Sequence, residues 1–128
     1  MMIFDESVKN QYEMILSDVV PWAFEELSIP ESVDITFSID DLEENEDEAL
    51  RGYCLCGFAD ATHRDVTEFE IHLADDIHRT EVMMTIMHEM VHVKQWISGE
   101  ALCEEDAEAR EVELFEKYMS EIAVLSVN

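Results

Sequence analysis

The stretch MHEMVHVKQW, residues 87–96, contains the motif around which the predicted fold and site are arranged. An α-helix turns by about 100° per residue, so His88 and His92 lie about 40° apart on one helical face, with Glu89 beside them. This is the HExxH arrangement, in which two imidazoles bind Zn²⁺ and the neighbouring carboxylate acts as general base toward a water activated by the metal. The sequence therefore predicts a zinc site with His88 and His92 as ligands and Glu89 as the catalytic base.

Apolar residues surround the motif on most sides of the predicted helix. They are Val82, Met83, Met84, Ile86, Met87, Met90, Val91, Val93 and Ile97. Such a helix is expected to be enclosed by other elements. Thr80 or Asp76 is predicted to cap it, and Ser98 with Gly99 to end it. The alternative interpretation is that both histidines are core residues whose hydrogen bonds are satisfied without a metal.

The helix predicted after Gly99 changes character along one face. Its apolar stripe is marked by Val112, Phe115, Met119 and Ile122. The same helical wheel brings Glu104, Glu108 and Glu111 onto this face in the earlier turns. A buried carboxylate costs free energy unless it is paired or binds a metal. We therefore predict Glu104 as the third zinc ligand, and Glu108 as the acceptor of a hydrogen bond from the free ring nitrogen of a ligating histidine.

Two alternatives stay open for this helix. Its first turn can be solvated, with packing only from Val112 onward. If the helix begins at a different residue, the ligand can instead be Glu100, Glu105 or Asp106.

Three further stretches predict β-strands. Residues 33–39 and 67–73 alternate apolar and polar side chains with the period of a half-buried strand, and residues 50–58 resemble a third strand. Residues 40–48, DDLEENEDE, are expected to form a solvated acidic loop because so many like charges cannot share a core.

A first helix is predicted from apolar residues at helical spacing, namely Val8, Tyr12, Ile15, Leu16 and Val19. Asp5 or Ser7 is its predicted cap, and Pro21 is expected to interrupt or kink it. The elements together predict an α+β fold: an N-terminal helix, a three-stranded mixed or antiparallel sheet, the HExxH helix and a C-terminal helix.

Composition limits the classes of function. A chain of 128 residues with 48% apolar content is expected to form one domain over residues 1–128. Seven Lys and Arg against 32 Asp and Glu give a formal charge of -25, which disfavours nucleic acid and membrane surfaces as partners and allows basic peptides or proteins. Neither a secretory signal nor a membrane span is recognised in the sequence.

The number of cysteines bears on the cellular compartment in which the protein is expected. Cys54, Cys56 and Cys103 are too few for a disulfide framework, which fits a reducing, cytoplasmic setting. Cys54 and Cys56 have no second cysteine pair to complete a zinc ribbon, so we expect them to serve core packing.

The motifs resemble those of the gluzincin metallopeptidases, and more closely the small phage-encoded and SprT-like members. The HExxH motif is matched by His88, Glu89 and His92. The second motif, ExxA followed by an acidic or amide residue, is similar to Glu104, Ala107 and Glu108. The sequence that follows this motif in phage members resembles residues 110–115.

The resemblance implies a small zincin-like domain that hydrolyses peptide bonds with Zn²⁺ and Glu89, in the host cytoplasm if the chain is phage-encoded. It also implies that an extended peptide substrate aligns along an edge strand, here residues 67–73. The zinc ribbon and basic surface of longer SprT-like proteins are absent from the sequence, which argues against a DNA-linked role. Gln95 and Ser98 stand where a metzincin has a glycine and a third histidine, which excludes that class.

Two other functions compete with hydrolysis. One is a non-catalytic binding protein in which zinc only staples a small domain. The other is an acidic decoy that binds a basic host protein through its charge. If the chain is an enzyme, a donor to the developing oxyanion is also expected, and His72, His63, His78 and Tyr53 are unranked candidates.

Overall fold

The computed structural model describes residues 1–40, 52–56, 68–74, 79–101 and 103–127. The elements in chain order are β1 (Met2–Phe4), α1 (Asn10–Glu26), β2 (Asp34–Asp40), β3 (Gly52–Cys56), β4 (Glu68–Ala74), α2 (Arg79–Ile97) and α3 (Glu104–Val127). The predicted α+β fold is confirmed.

The four strands form one mixed sheet in the order β1-β2-β4-β3. β1 and β4 both pair parallel with β2, whereas β3 pairs antiparallel with β4. All three predicted strands are present, and β1 is a further short strand that the alternation did not indicate. β4 corresponds to the predicted edge strand at residues 67–73, and that placement is wrong, because β2 and β3 flank it on either side. Among the described strands, β3 and β1 are the edges.

The core lies on one face of the sheet. Phe37 on β2 pairs in register with Ile71 on β4, and the alternation of a strand turns both side chains toward the same buried side. Glu68 and Glu70 point to the opposite, exposed side. α2 packs against β3 and β4, and α1 packs against α2 and β1. The two helices therefore bury one face of the sheet and leave the other face polar.

α1 runs through Pro21 without ending there. Proline removes a backbone donor from a helix interior, and here the buried Val19, Val20 and Ala23 hold the helix to the core on both sides of it. The predicted caps are corrected. α1 begins after Lys9, which makes no side-chain cap hydrogen bond, while Asp5 accepts a hydrogen bond from the Ser7 backbone 2.8 Å away.

α2 is enclosed, as its apolar flanks predicted. It contacts α1, α3, β3 and β4, and its buried residues are Val82, Met83, Thr85, Ile86, Met87, Glu89, Met90, Val91, His92, Val93 and Gln95. α3 packs on α2, and side-chain contacts join it to α1, among them an edge-to-face contact between Trp22 and Tyr118. The indole Nε1 of Trp22 donates to Glu121, and Lys117 donates to Glu26.

The inward face of α3 differs from the predicted stripe. Val112 and Met119 are each 43% exposed, and the buried positions are Ala107, Glu111, Leu114 and Tyr118. These positions also recur at intervals of three and four residues, so they share one face. The predicted stripe was displaced by roughly 90° around the helix because the buried face contains the small Ala107 and the charged Glu111.

α1 and α2 end in the same hydrogen-bonded turn. After α2, the backbone N–H of Gly99 donates to Trp96 and that of Glu100 to Gln95, and Gly99 has φ +74°. After α1, Ser28 occupies the equivalent left-handed position with φ 54°. This pairing of bonds is the Schellman motif, in which glycine is the favoured left-handed residue. The predicted stop at Ser98 and Gly99 is confirmed.

Ser28→Gly is expected to raise the free energy of unfolding by about 1 kcal/mol, because glycine adopts a positive φ without the steric cost that serine bears. Gly99→Ala is expected to lower it by about 1 kcal/mol, since a Cβ there meets nothing within 4 Å among the described residues and only the backbone conformation is penalised. Urea unfolding of the two variants measures both shifts. Changes of the same sign would contradict the assignment of the left-handed turns.

Among the described helices, none is long and apolar enough to cross a bilayer. Most of the predicted acidic loop, residues 41–48, lies outside the described residues, as do the side chains of Cys54 and Cys56. Asp76, one of the two predicted caps of α2, lies outside them as well.

Candidate metal centre

The three predicted ligands meet at one point between α2 and α3. The Nε2 atoms of His88 and His92 are 3.2 Å apart. The carboxylate of Glu104, the first residue of α3, reaches both, with Oε2 3.0 Å from His88 Nε2 and Oε1 2.8 Å from His92 Nε2. One possible ligand atom from each residue lies within 4.8 Å of the others, and among the described residues this is the group of three that could hold a metal ion.

These separations fit a tetrahedral divalent cation. Zinc bonds to nitrogen and oxygen are about 2.0–2.1 Å, so two ligand atoms of a tetrahedral zinc site are about 3.3 Å apart. The three contacts, at 2.8–3.2 Å, are close to this spacing, and the two contacts of the carboxylate are made by its two different oxygens. Two imidazole nitrogens and one carboxylate oxygen are also a donor set that zinc accepts.

Each ring has a hydrogen-bond acceptor behind it, on the side away from Glu104. His92 Nδ1 is 2.9 Å from Oε1 of Gln95, and His88 Nδ1 is 3.3 Å from Oε1 of Glu111. These oxygens suit a ring that carries its hydrogen on Nδ1 and its lone pair on Nε2, which is the form that binds a metal ion. In that form two lone pairs and an anionic carboxylate face one another. A cation between them, either a metal ion or a proton, relieves the repulsion.

The partner predicted behind a ligating histidine is corrected. Glu108 is exposed, and the ring nitrogens that face away from the centre contact Gln95 and Glu111 instead. Glu111 lies on the buried face of α3 identified above, whereas Glu108 lies about 60° away from it around the helix axis. Oε2 of Glu111 is buried with no hydrogen-bond partner among the described residues, so the His88 ring is the main polar contact of this carboxylate.

The alternative ligands on the linker and the first turn of α3 lie outside the cluster. Glu100 and Glu105 are exposed. Asp106 accepts a hydrogen bond from Gln95 Nε2 at 2.9 Å, and its other contact is Arg110 at 4.0 Å. Of the four carboxylates considered, Glu104 is the one that the structure brings to the two histidines.

The site is closed on one side and open on the other. The side chains of His88 and His92 are 16% and 9% exposed, whereas that of Glu104 is 71% exposed although its oxygens contact both rings. A molecule from solvent therefore approaches from the side of Glu104. The opposite wall is formed by α2 itself.

Glu89 follows His88 on α2 and is buried. Burial, which is the largest cause, and the nearby carboxylates of Glu104 and Glu111 raise the pKa of its carboxyl from 4.5 to about 7, and His92 opposes this shift. A carboxyl group titrating near neutrality can take up and release a proton under physiological conditions. A bound divalent cation favours the ionised form and lowers this pKa.

The raised pKa of Glu89 predicts a pH dependence of the metal-free protein. The folded state holds the proton up to about pH 7, whereas the unfolded chain releases it near the ordinary value of 4.5, so the free energy of unfolding falls as pH rises through this window. This decline in the free energy of unfolding is on the order of 2 kcal/mol, and Glu89→Gln is expected to remove it. Denaturant unfolding of both metal-free proteins at about pH 5 and about pH 8 measures the difference; parallel pH profiles would contradict the raised pKa.

His72, one of the predicted oxyanion donors, is on the wrong side of the sheet. The buried β4 residues Phe69, Ile71 and Leu73 face the core, and His72 alternates with them, so it points to the face that carries Glu70. His72 Nε2 is 3.8 Å from Glu70 Oε2. His63, His78 and the side chain of Tyr53 lie outside the described residues.

Two residues of the site were missing from the sequence prediction, Gln95 and Glu111. Gln95 was considered only as a departure from another metallopeptidase class. Its sequence signal is an amide three residues after His92, on the same side of an otherwise apolar helix. No family model matches the chain, and comparison with curated proteins and with solved structures found no match.

Proposed function

We propose that the protein is a zinc-dependent metallopeptidase of the gluzincin type. The observation that carries the proposal is the convergence of His88, His92 and Glu104 at 2.8–3.2 Å beside a buried Glu89. A purely structural metal site has no need of a titratable carboxyl group at this position. Two imidazoles and one carboxylate also leave a coordination position for a small ligand on the side open to solvent.

Zn²⁺ bound to these residues would supply a Lewis acid and lower the pKa of water. His88 and His92 donate neutral Nε2 lone pairs, and Glu111 and Gln95 hold the rings in that form. Glu89 takes the proton from the attacking water and later passes it to the leaving amine. The pKa of about 7 for Glu89 in the metal-free protein is well above that of an ordinary carboxylate, which suits a base that must also return its proton.

The proposed substrate is an extended peptide. β3 is an edge strand among the described strands and packs against α2, so a peptide paired with β3 would run beside the metal-binding helix. Exposed carboxylates at Glu100, Glu105 and Glu108 lie close in sequence to Glu104, and the chain carries a formal charge of -25. Basic peptides are therefore favoured over acidic ones.

The proposal is tested with the zinc-loaded protein and a library of peptides from a digested proteome. Mass spectrometry detects newly formed termini. We expect cleavage that a chelator abolishes and added zinc restores. A protein that binds one equivalent of zinc and cleaves nothing in the library would contradict the proposed activity.

A second candidate is a binding protein stapled by its metal. The observation that favours it is that Glu104 joins the beginning of α3 to two residues of α2, so a cation here would fasten two helices together. It predicts zinc-dependent stability without hydrolysis. The acidic decoy predicted from charge differs from both, since its binding to a basic protein would be sensitive to salt and insensitive to chelators.

A further inference from the structure

Gln95 uses every hydrogen-bonding position of its buried side chain. Oε1 accepts from His92 Nδ1 at 2.9 Å and from the backbone N–H of Cys103 at 3.2 Å. Nε2 donates to the backbone carbonyl of Cys103 at 3.2 Å and to Asp106 Oδ2 at 2.9 Å. A primary amide offers two donor hydrogens and one oxygen with two lone pairs, so its capacity is filled.

The orientation of this amide is fixed by the backbone of Cys103. A backbone N–H can only donate and a backbone carbonyl can only accept, so Oε1 and Nε2 of Gln95 cannot exchange places without losing both bonds. Because Oε1 can only accept, Gln95 favours the form of the neutral His92 ring that carries its hydrogen on Nδ1, whereas the Glu104 carboxylate, 2.8 Å from Nε2, favours the other form in the metal-free protein. Only the Nδ1–H form leaves the Nε2 lone pair pointing toward Glu104 and His88, where a metal ion would bind.

The backbone of Gln95 holds the same linker from its other end. Its carbonyl accepts from Glu100 at 2.9 Å in the turn that ends α2. The linker between α2 and α3 is thus attached to Gln95 near both ends, at Glu100 through the main chain and at Cys103 through the side chain. Glu104 follows Cys103 directly, so the same attachment determines where α3 begins.

We propose that Gln95 is a positioning residue that couples the positions of Glu100 and Cys103, in the linker between α2 and α3, to the metal-binding tautomer of His92. This inference rests on the proposed metal site and adds a way in which its metal affinity can change. When the linker moves away from Gln95, the His92 ring loses its hydrogen-bond partner and Glu104 moves at the same time. Glu111 differs, because among the described residues its side chain makes its polar contact with the His88 ring alone. The linker is therefore the segment through which a partner or substrate could change metal affinity.

The test uses Gln95→Met, which keeps a similar side-chain length and removes all four side-chain hydrogen bonds. Long-range ¹H–¹⁵N NMR of the metal-free protein in mildly alkaline solution reports which ring nitrogen carries the hydrogen. The Nδ1–H form of His92 is expected to be a larger share in the wild type than in Gln95→Met, because this variant leaves only the Glu104 carboxylate, on the Nε2 side, as an acceptor. Zinc affinity, measured by competition with a chelator, is expected to fall by about 10–100-fold.

Thr85→Val is the matched control. Thr85 is buried on the same helix, and its Oγ1 has no hydrogen-bond partner among the described residues. Replacement by valine removes a buried polar atom of α2 without touching the linker, so neither the tautomer nor the zinc affinity is expected to change.

The double variant Gln95→Glu with Asp106→Asn tests the proposal even if Gln95→Met does not fold. The new carboxylate still accepts from His92 and from the Cys103 N–H, and the new amide at position 106 donates to it, whereas the bond to the Cys103 carbonyl is lost. The Nδ1–H share of His92 is therefore expected to be no lower than in the wild type. A lower share in this variant, or the wild-type share and zinc affinity in a folded Gln95→Met, would overturn the coupling. The tautomer is read without metal or substrate, so failure of peptide hydrolysis alone would not count against this inference.

Discussion

Replacement of Glu104 by glutamine is expected to weaken zinc binding by at least about 100-fold, since loss of a direct ligand exceeds the 10–100-fold effect typical of an outer hydrogen-bond partner. The carboxylate contacts both Nε2 atoms at 2.8 and 3.0 Å and supplies the negative charge of the ligand group. An amide of the same shape retains an oxygen and loses that charge. Competition with a chelator of known affinity measures the change.

Glu108→Gln is the control for this prediction. Glu108 is one turn further along α3 and exposed, so the substitution changes the charge of the chain equally without touching the ligand group. Its zinc affinity is expected to stay within about threefold of the wild type, as expected for a screened surface charge. Equal losses in Glu104→Gln and Glu108→Gln would show that overall charge, and not coordination, determines metal uptake.

Replacement of Glu89 by glutamine is expected to reduce peptide cleavage by about 10²–10⁴-fold, the usual contribution of a positioned general base. Glutamine keeps the shape of the side chain but cannot take a proton from water. Zinc content is expected to be retained, because Glu89 is outside the group formed by His88, His92 and Glu104. Initial cleavage rates, with metal content measured on the same samples, test both statements together.

Chelator-treated wild type serves as the reference for residual cleavage in this experiment. If Glu89→Gln cleaves at the wild-type rate, Glu89 is not the base. If neither form cleaves and both bind zinc, the stapled binding protein is favoured over the enzyme.

Local sequence patterns predicted where β2 and β4 lie in the chain, but they did not predict the order of the strands in the sheet. The alternation in β2 and β4 is a property of each strand alone, and it identified both to within about one residue. The order β1-β2-β4-β3 depends on pairings between distant parts of the chain. β1 contains only Met2–Phe4 and pairs parallel with β2, so its three residues are too few to show a period.

The site was predictable where covalent spacing determines geometry. His88 and His92 share a face of any helix, so their convergence followed from the sequence. Glu104 was predicted from a wheel whose apolar stripe was misplaced, yet its position as the first residue of α3 brings it to the histidines despite that error. The partners of the rings could not be deduced in the same way. Gln95 and Glu111 are buried polar residues, and only the three-dimensional contacts distinguish them from solvated ones.

α3 is fastened at its two ends by different chemistry. Lys117 and Glu121 in its C-terminal half bond to side chains of α1, whereas its first residue is held through Glu104 at the histidine pair. The opening turn is also held by Gln95, which bonds to Cys103 and Asp106. A cation at Glu104 would therefore add its stabilisation to the first turn of α3, at the end of the helix opposite to its attachment to α1.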